Sequence, residues 1–388
     1  MLNVNKKFWC TLIILLIWFT IKAPVYASNL DEEIINDTQK SFGISDFLEE
    51  TKKYTGNFFE DVNIEDMLDS AITGNIDNST IFKKILNLFG KELVSSMKTL
   101  VGILVIVLVH SILKAISEGF ENDSISRIIY YVQYILIITL IMNNFSSLIS
   151  NINNTINNLT GFTNCLIPLL TTLMVYTGSI TTSSLLEPII LFVVDFIGNI
   201  IGALVLPAVS IIVALIIVSK ISDKIQIVRL ADFMKSSIGW FLGIILTIFV
   251  GVISLEGTLT SSVDGITAKT AKAAISSLIP VVGKVLGDSV DSVLGCGIVL
   301  KNAVGVVGVV IIIGICIVPI IKLATLSILY SISSAIIEPI ADEKIVRLLG
   351  EFSSIFKLLL GILCSVSVLF IIGITLVIKI SNSGMMYR

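Results

Sequence analysis

Seven apolar runs, most of them long enough to cross a bilayer, decide the fold class of this chain. They cover residues 93–116, 128–149, 162–180, 189–218, 240–255, 303–329 and 355–378, with few charges inside them. One crossing needs about 20 predominantly apolar residues. In hydrocarbon every backbone N–H and C=O must be satisfied by protein, which leaves helices or a closed barrel. The runs lack the alternation of barrel strands, so the sequence predicts an all-α, polytopic transmembrane helical bundle. Composition agrees: 55% of the residues are hydrophobic, 14% are charged and the mean hydropathy is +0.98. Soluble domains carry about 25% charged residues, because their surfaces must be solvated. Six of the spans follow directly. Residues 189–218, interrupted by Asp195 and Pro207, read either as one tilted helix or as a tight re-entrant pair hinged at Pro207.

The N-terminus reads as a targeting segment. Lys6 and Lys7 precede an apolar run over residues 8–21, and Pro24, Val25, Tyr26 and Ala27 place small residues at a cleavage site. Residues 1–27 are therefore expected to be a secretory signal peptide, with an uncleaved anchor as the alternative. Residues 28–92 then form an acidic, amphipathic head, expected on the extracytoplasmic side. Within it Ile64, Met67, Leu68, Ala71 and Ile72 share one helical face. Basic residues do not settle the later loops. Lys220, Lys224, Arg229 and Lys235 favour one cytosolic loop, and Lys269, Lys272, Lys284 and Lys301 make an equal claim for the next. The run over residues 151–158 reads as a neutral, Asn-rich loop.

Self-comparison suggests an internal pseudo-repeat. Residues 168–188 match 319–339, with SSLLEPI ending the first copy and SSAIIEPI the second. Downstream, Ile227-Val228-Arg229-Leu230 corresponds to Ile345-Val346-Arg347-Leu348. The expected unit is a proline-headed span, a Glu-Pro break, a charged amphipathic stretch and a second span. Pro168, Pro188, Pro207, Pro280, Pro319 and Pro339 are the expected helix breaks. Residues 161–255 would be the first unit, carrying the 189–218 insertion, and residues 302–380 the second, followed by a tail over 381–388. A single crossing of the insertion implies inverted copies, and a hairpin implies parallel ones. Inverted repeats with interrupted helices build midplane sites in many transporters, though the same symmetry suits a static scaffold.

Between the units, residues 256–301 are polar and helix-prone, split by Pro280 into two amphipathic pieces. Asp264, Lys269 and Lys272 mark the first, and Lys284, Asp288 and Asp291 the second. With Glu187, Asp195 and Glu338 these are the candidate buried polar or assembly residues, because ionisable groups at membrane depth line wet cavities or contacts. Gly198/Gly202 and Gly239/Gly243 have spacing that permits close helix approach. His110 is the single histidine, on an apolar face of the first span, so HExxH zinc sites are excluded and a Ser-His triad is not indicated. No phosphate-binding loop occurs, and the five cysteines are scattered without a CxxC pair. Neither a cofactor, a metal nor nucleic acid is indicated, and no enzyme constellation is present.

The strings GTLTSSVDGITAKTAKAAISSLIPVVGKVLGDSVDSVL over residues 257–294, VLKNAVGVVGVV over 299–310 and YTGSITTSSLLEP over 176–188 resemble the stage III sporulation protein AE family. The resemblance extends over nearly the whole chain and is loosest in the Asn-rich run and the acidic head. It implies a role in endospore formation as an integral subunit of a transenvelope assembly. That assembly would lie in the mother-cell membrane around the forespore. The implied partners are other membrane and ring-forming subunits, a separate cytosolic ATPase subunit and a forespore-side partner. The residues themselves leave two classes open, a membrane platform or a secondary transporter of a small solute.

Overall fold

The computed structural model describes residues 43–55, 64–73, 78–118, 123–221, 227–278 and 283–385. The expected signal peptide, Pro280 and the end of the tail lie outside them. The described residues are all helix and turn, as the unbroken apolar runs demand. Two short amphipathic helices come first, α1 (Ile44–Thr55) and α2 (Ile64–Thr73). They bury Ile44, Phe47 and Leu48, and Ile64, Leu68, Ala71 and Ile72, the stripe expected for the second. Long helices follow: α3 (Asn78–Glu118), α4 (Asp123–Tyr176), α5 (Ile180–Ile200), α6 (Leu206–Ile221), α7 (Val228–Leu278), α8 (Gly283–Ile337) and α9 (Glu343–Met385).

Six stretches among the described residues are long and apolar enough to cross a membrane: Leu86–Leu113, Ile128–Tyr176, Ile180–Ile221, Val228–Gly257, Leu294–Ile337 and Glu343–Asn382. The number differs from the seven runs because two of them fuse. The Asn-rich run is no loop; it lies inside α4, where Ile152, Ile156 and Leu159 recur at helical spacing and are fully buried. Asparagines occupy the outward positions between them, so composition masked the period. At 1.5 Å per residue, α4, α7 and α8 measure roughly 75–85 Å, more than twice the roughly 30 Å hydrocarbon core. Residues 256–278 continue α7 without interruption, and 283–301 open α8.

Most of the expected proline breaks are absent. Pro168 lies inside α4, Pro188 inside α5 and Pro319 inside α8. A proline forfeits one helical hydrogen bond, but packing against neighbouring helices holds such a helix together in membrane bundles, and here each of the three lies within a continuous helix. Pro207 follows a π-helical turn, Ile201–Val205, in which the Leu206 N–H reaches back to the Ile201 carbonyl. That wider turn absorbs the missing donor, so 180–221 form one continuous path and not a hairpin. Among the described residues only Pro339 lies in a true break, the turn over 338–340 before α9.

Contacts fix the helix directions. Thr171 and Ser183 meet across α4 and α5, as do Asn164 and Asp195, which makes the pair antiparallel. Lys301 meets Ser381 and Ser353 meets Ser327, so α8 and α9 are antiparallel. Lys235 meets Glu351, and Gly257 lies against Ile380, so α7 and α9 are parallel. Gly297 lies against Tyr176 and Gly308 against Leu166, so α4 and α8 are antiparallel. The two matched strings therefore obey different relations: residues 168–176 run opposite to 319–337, residues 180–188 run with them after the α4–α5 turn, and the charged segments run in the same direction. The breaks differ too, at Thr177–Ser179 in the first copy and at 338–340 in the second. The pseudo-repeat is one of sequence segments and not of a rigid unit.

Candidate functional site

The start of α5 shows how polar groups are handled inside this bundle. Helix α4 ends in a Schellman motif, with the Gly178 N–H on the Val175 carbonyl and the Ser179 N–H on the Met174 carbonyl, each at 2.9 Å. Gly178 takes φ of +88°, a conformation that needs glycine. Ser179 precedes α5 but its side chain makes no capping bond. The orphan amides are instead met by Asp264, which reaches across from α7. Its Oδ1 accepts from the Thr181 N–H and its Oδ2 from the Thr182 N–H, both at 2.9 Å. Asp264 is 4% exposed. A carboxylate at a helix N-terminus answers both the unpaired donors and the positive end of the dipole.

A second buried group lies at the same end. Lys301 on α8 is fully buried, and its Nζ donates to Ser381 Oγ at 2.7 Å and to Asn382 Oδ1 at 2.8 Å. Ser381 Oγ is 3.1 Å from Ser179 Oγ, and the Asn382 amide donates to Asn302 Oδ1 at 3.1 Å. Asp264, the α4–α5 turn, the Lys301–Asn302 level of α8 and the end of α9 are thus tied into one polar node. No carboxylate contacts Lys301 among the described residues; neutral oxygens alone hold the ammonium. This residue is legible in sequence only as one basic residue among several, beside Asn302 at the head of an apolar run.

Lower on the α4–α5 seam, Thr171 donates to Glu187 Oε2 at 2.8 Å and Ser183 to the Thr171 carbonyl at 2.9 Å. The Asn164 amide donates to Asp195 Oδ1 at 2.8 Å. Gly198 and Gly202 let Thr160 and Asn153 approach, since a Cβ would lie 2.6 Å from Thr160 Oγ1 and 3.0 Å from Asn153 Oδ1. At the opposite end of the bundle Lys235 pairs with Glu351 at 2.6 Å and Asp232 at 3.3 Å. There the Tyr130 and Tyr134 hydroxyls donate to the Lys220 and Ile217 carbonyls. Near α1, the Cys165 sulfur and the Tyr54 hydroxyl lie 3.9 Å apart, and this contact, with burial, raises the Tyr54 phenol above its ordinary pKa.

The candidate residues therefore divide. Asp264 is a buried joint, and Glu187 is half-buried and hydrogen-bonded. Asp195 and Glu338 are exposed on this chain and not buried: one lies on the outer edge of α5 and the other in the turn that ends α8. Lys269 and Lys272 lie on α7, and Lys284, Asp288 and Asp291 on α8; their side chains fall outside the described residues.

Long apolar helices joined by buried polar ties define a polytopic, all-α integral membrane protein. The profile described as Stage III sporulation protein AE matches residues 62–381, and the chain belongs to that family. A Stage III sporulation protein AE of Bacillus subtilis (strain 168) is 30% identical over 297 residues, 76% of this chain and 74% of the relative. No solved structure matches.

Proposed function

We propose that this protein is an integral subunit of a mother-cell transenvelope, secretion-like channel complex required for endospore formation. Its partners would be other membrane and ring-forming subunits, a separate cytosolic ATPase and a forespore-side partner, with the acidic head extracytoplasmic. Family membership supplies the process. The observation that favours a platform over a secondary transporter is helix continuity: Pro168, Pro188 and Pro319 do not interrupt their helices. A transporter of the inverted-repeat type binds solute at discontinuous helices related by symmetry. Here the matched segments share no single symmetry, and the polar groups tie helices together in fixed contacts.

Alanine substitutions at Glu187, Asp264 and Lys301, scored in parallel for spore formation and for complex assembly, test the reading. A platform loses assembly and sporulation together. Loss of sporulation with every partner still bound would favour the transporter.

A further inference from the structure

We infer that the outward face of α4 over residues 143–157 lines a water-filled passage at bilayer level, one that favours uncharged and cationic polar solutes over anions. The inference deepens the assembly reading and rests on it, because closing a passage around one helix face takes further subunits.

The bilayer level follows from charge. Three helices carry uncharged windows of about the 20 residues that one crossing needs: 236–255 on α7 between Lys235 and Glu256, 302–321 on α8 between Lys301 and Lys322, and 358–378 on α9 between Lys357 and Lys379. These windows coincide in the bundle. Ser367 donates to Cys316 at 2.9 Å, and Gly373 lies against Phe249. Leu242, Ile245, Val366 and Leu369 line one cleft with Ile197 and Ile201 of the α5 path. Gly198 and Gly202 in turn lie against Thr160 and Asn153. The Asn-rich part of α4 is therefore level with the middle of the slab.

At that level the bundle has two unlike sides. On α7 the large exposed side chains are Trp240, Ile244, Ile248 and Val252, suited to lipid, and Thr247, exposed between them, turns its hydroxyl back onto the Gly243 carbonyl. On α4 the exposed positions nearest that level, Ser150, Asn151, Asn154 and Asn157, are all Asn or Ser, and the polar face continues through Ser147, Ser146 and Asn143 toward one edge. Earlier in the same helix the exposed face is apolar, with Ile128, Val132, Ile135 and Leu136. A polar face at hydrocarbon depth needs water or protein against it.

Two further observations favour water. Helix α1 packs on α4 directly beyond the stripe, with Tyr54 against Gly161 and Phe47 near Phe162, and exposes Asp46, Glu49, Glu50, Lys52 and Lys53 there. Charges so placed belong in an aqueous space. In the adjoining seam Thr160 Oγ1 and Asn164 Oδ1 are buried without a protein donor, a condition that buried oxygens rarely keep unless water serves them. The solute preference comes from sequence: residues 128–219 contain no Lys, Arg or His, and their only ionisable acids are Glu187 and Asp195.

The test is thiol accessibility in membranes from sporulating cells, using the full chain with its five native cysteines replaced. Single cysteines are introduced as Asn154→Cys, Asn157→Cys and, as a lipid-facing control, Ile244→Cys, and treated with membrane-impermeant cationic and anionic thiosulfonates. Asn154→Cys and Asn157→Cys should react and Ile244→Cys should not. The cationic reagent should be faster by roughly tenfold, the scale of a single nearby charge in a partly wet site, and Asp195→Asn should shrink that ratio. If both asparagine positions are blocked in the assembled membrane but open in the detergent-solubilised chain, the face is a protein contact and the passage is wrong, while the assembly reading stands. Equal rates for the two reagents overturn the solute preference. A chain that co-isolates with no other subunit defeats the assembly reading itself.

Discussion

Asp264→Ala is the most informative substitution in this protein. Asp264 is almost fully buried and gives one oxygen to each of two amides at the start of α5, at 2.9 Å. Hydrogen bonds to a charged group contribute about 1.5–3 kcal/mol each, and a favourable, partly buried carboxylate–dipole contact adds up to about 2 kcal/mol. The contributions overlap, so about 3–5 kcal/mol is expected for alanine, which strands both amides. Asparagine keeps one acceptor and should cost about half of that. Size-exclusion thermal melts of the detergent-solubilised chain provide the assay, with Glu338→Ala as the exposed control. The expected order is Asp264→Ala well below Asp264→Asn, and Asp264→Asn below Glu338→Ala. Hydrogen exchange at Thr181 and Thr182 should accelerate alongside. An Asp264→Ala protein that melts with the Glu338→Ala control would refute the capping argument.

Three further outcomes follow from named contacts. Removing both acceptors of the buried ammonium, by Ser381→Ala with Asn382→Leu, should cost about 3–5 kcal/mol, whereas Lys301→Met should be near neutral and should rescue the double variant; thermal melts of the series check this. Gly308→Val puts a Cβ within 2.5 Å of Leu166 and should cost about 1–3 kcal/mol, while Gly239→Ala meets nothing within 4 Å and should melt like the parent chain. Cysteines at Arg229 and Glu343 should label from the same side of the membrane, because the Lys235–Glu351 pair sets the starts of α7 and α9 at one end; opposite-side labelling would overturn the helix directions.

The periodicity of residues shows in the sequence only where composition does not hide it. The all-α spanning bundle follows from apolar run length, and the α2 stripe from Ile64, Leu68, Ala71 and Ile72. Residues 151–158 misled because asparagine content suggests a turn, while the deciding signal was the spacing of Ile152, Ile156 and Leu159. Pro168, Pro188 and Pro319 misled because a proline in water breaks a helix, whereas packing against other helices holds one together. Asp264 is legible as an unusual acid at membrane depth, but its partners are backbone amides some eighty positions away, which no local pattern encodes. Lys301 hides for the same reason: Ser381 and Asn382 become its ligands only after α8 and α9 pair. The α4–α5 turn goes unread because Gly178, at φ +88°, sits inside an apolar run that continues to residue 180.

The claim that this family member works as a platform within a larger assembly is tested most directly by affinity isolation. A tagged chain and its Asp264→Ala variant are recovered from membranes of sporulating cells in mild detergent, and spore yield is scored in the same strains. The account predicts that the parent chain brings down other membrane and ring-forming subunits with the ATPase, and that Asp264→Ala loses them in step with spore yield. A parent chain recovered alone from cells that sporulate normally would contradict it.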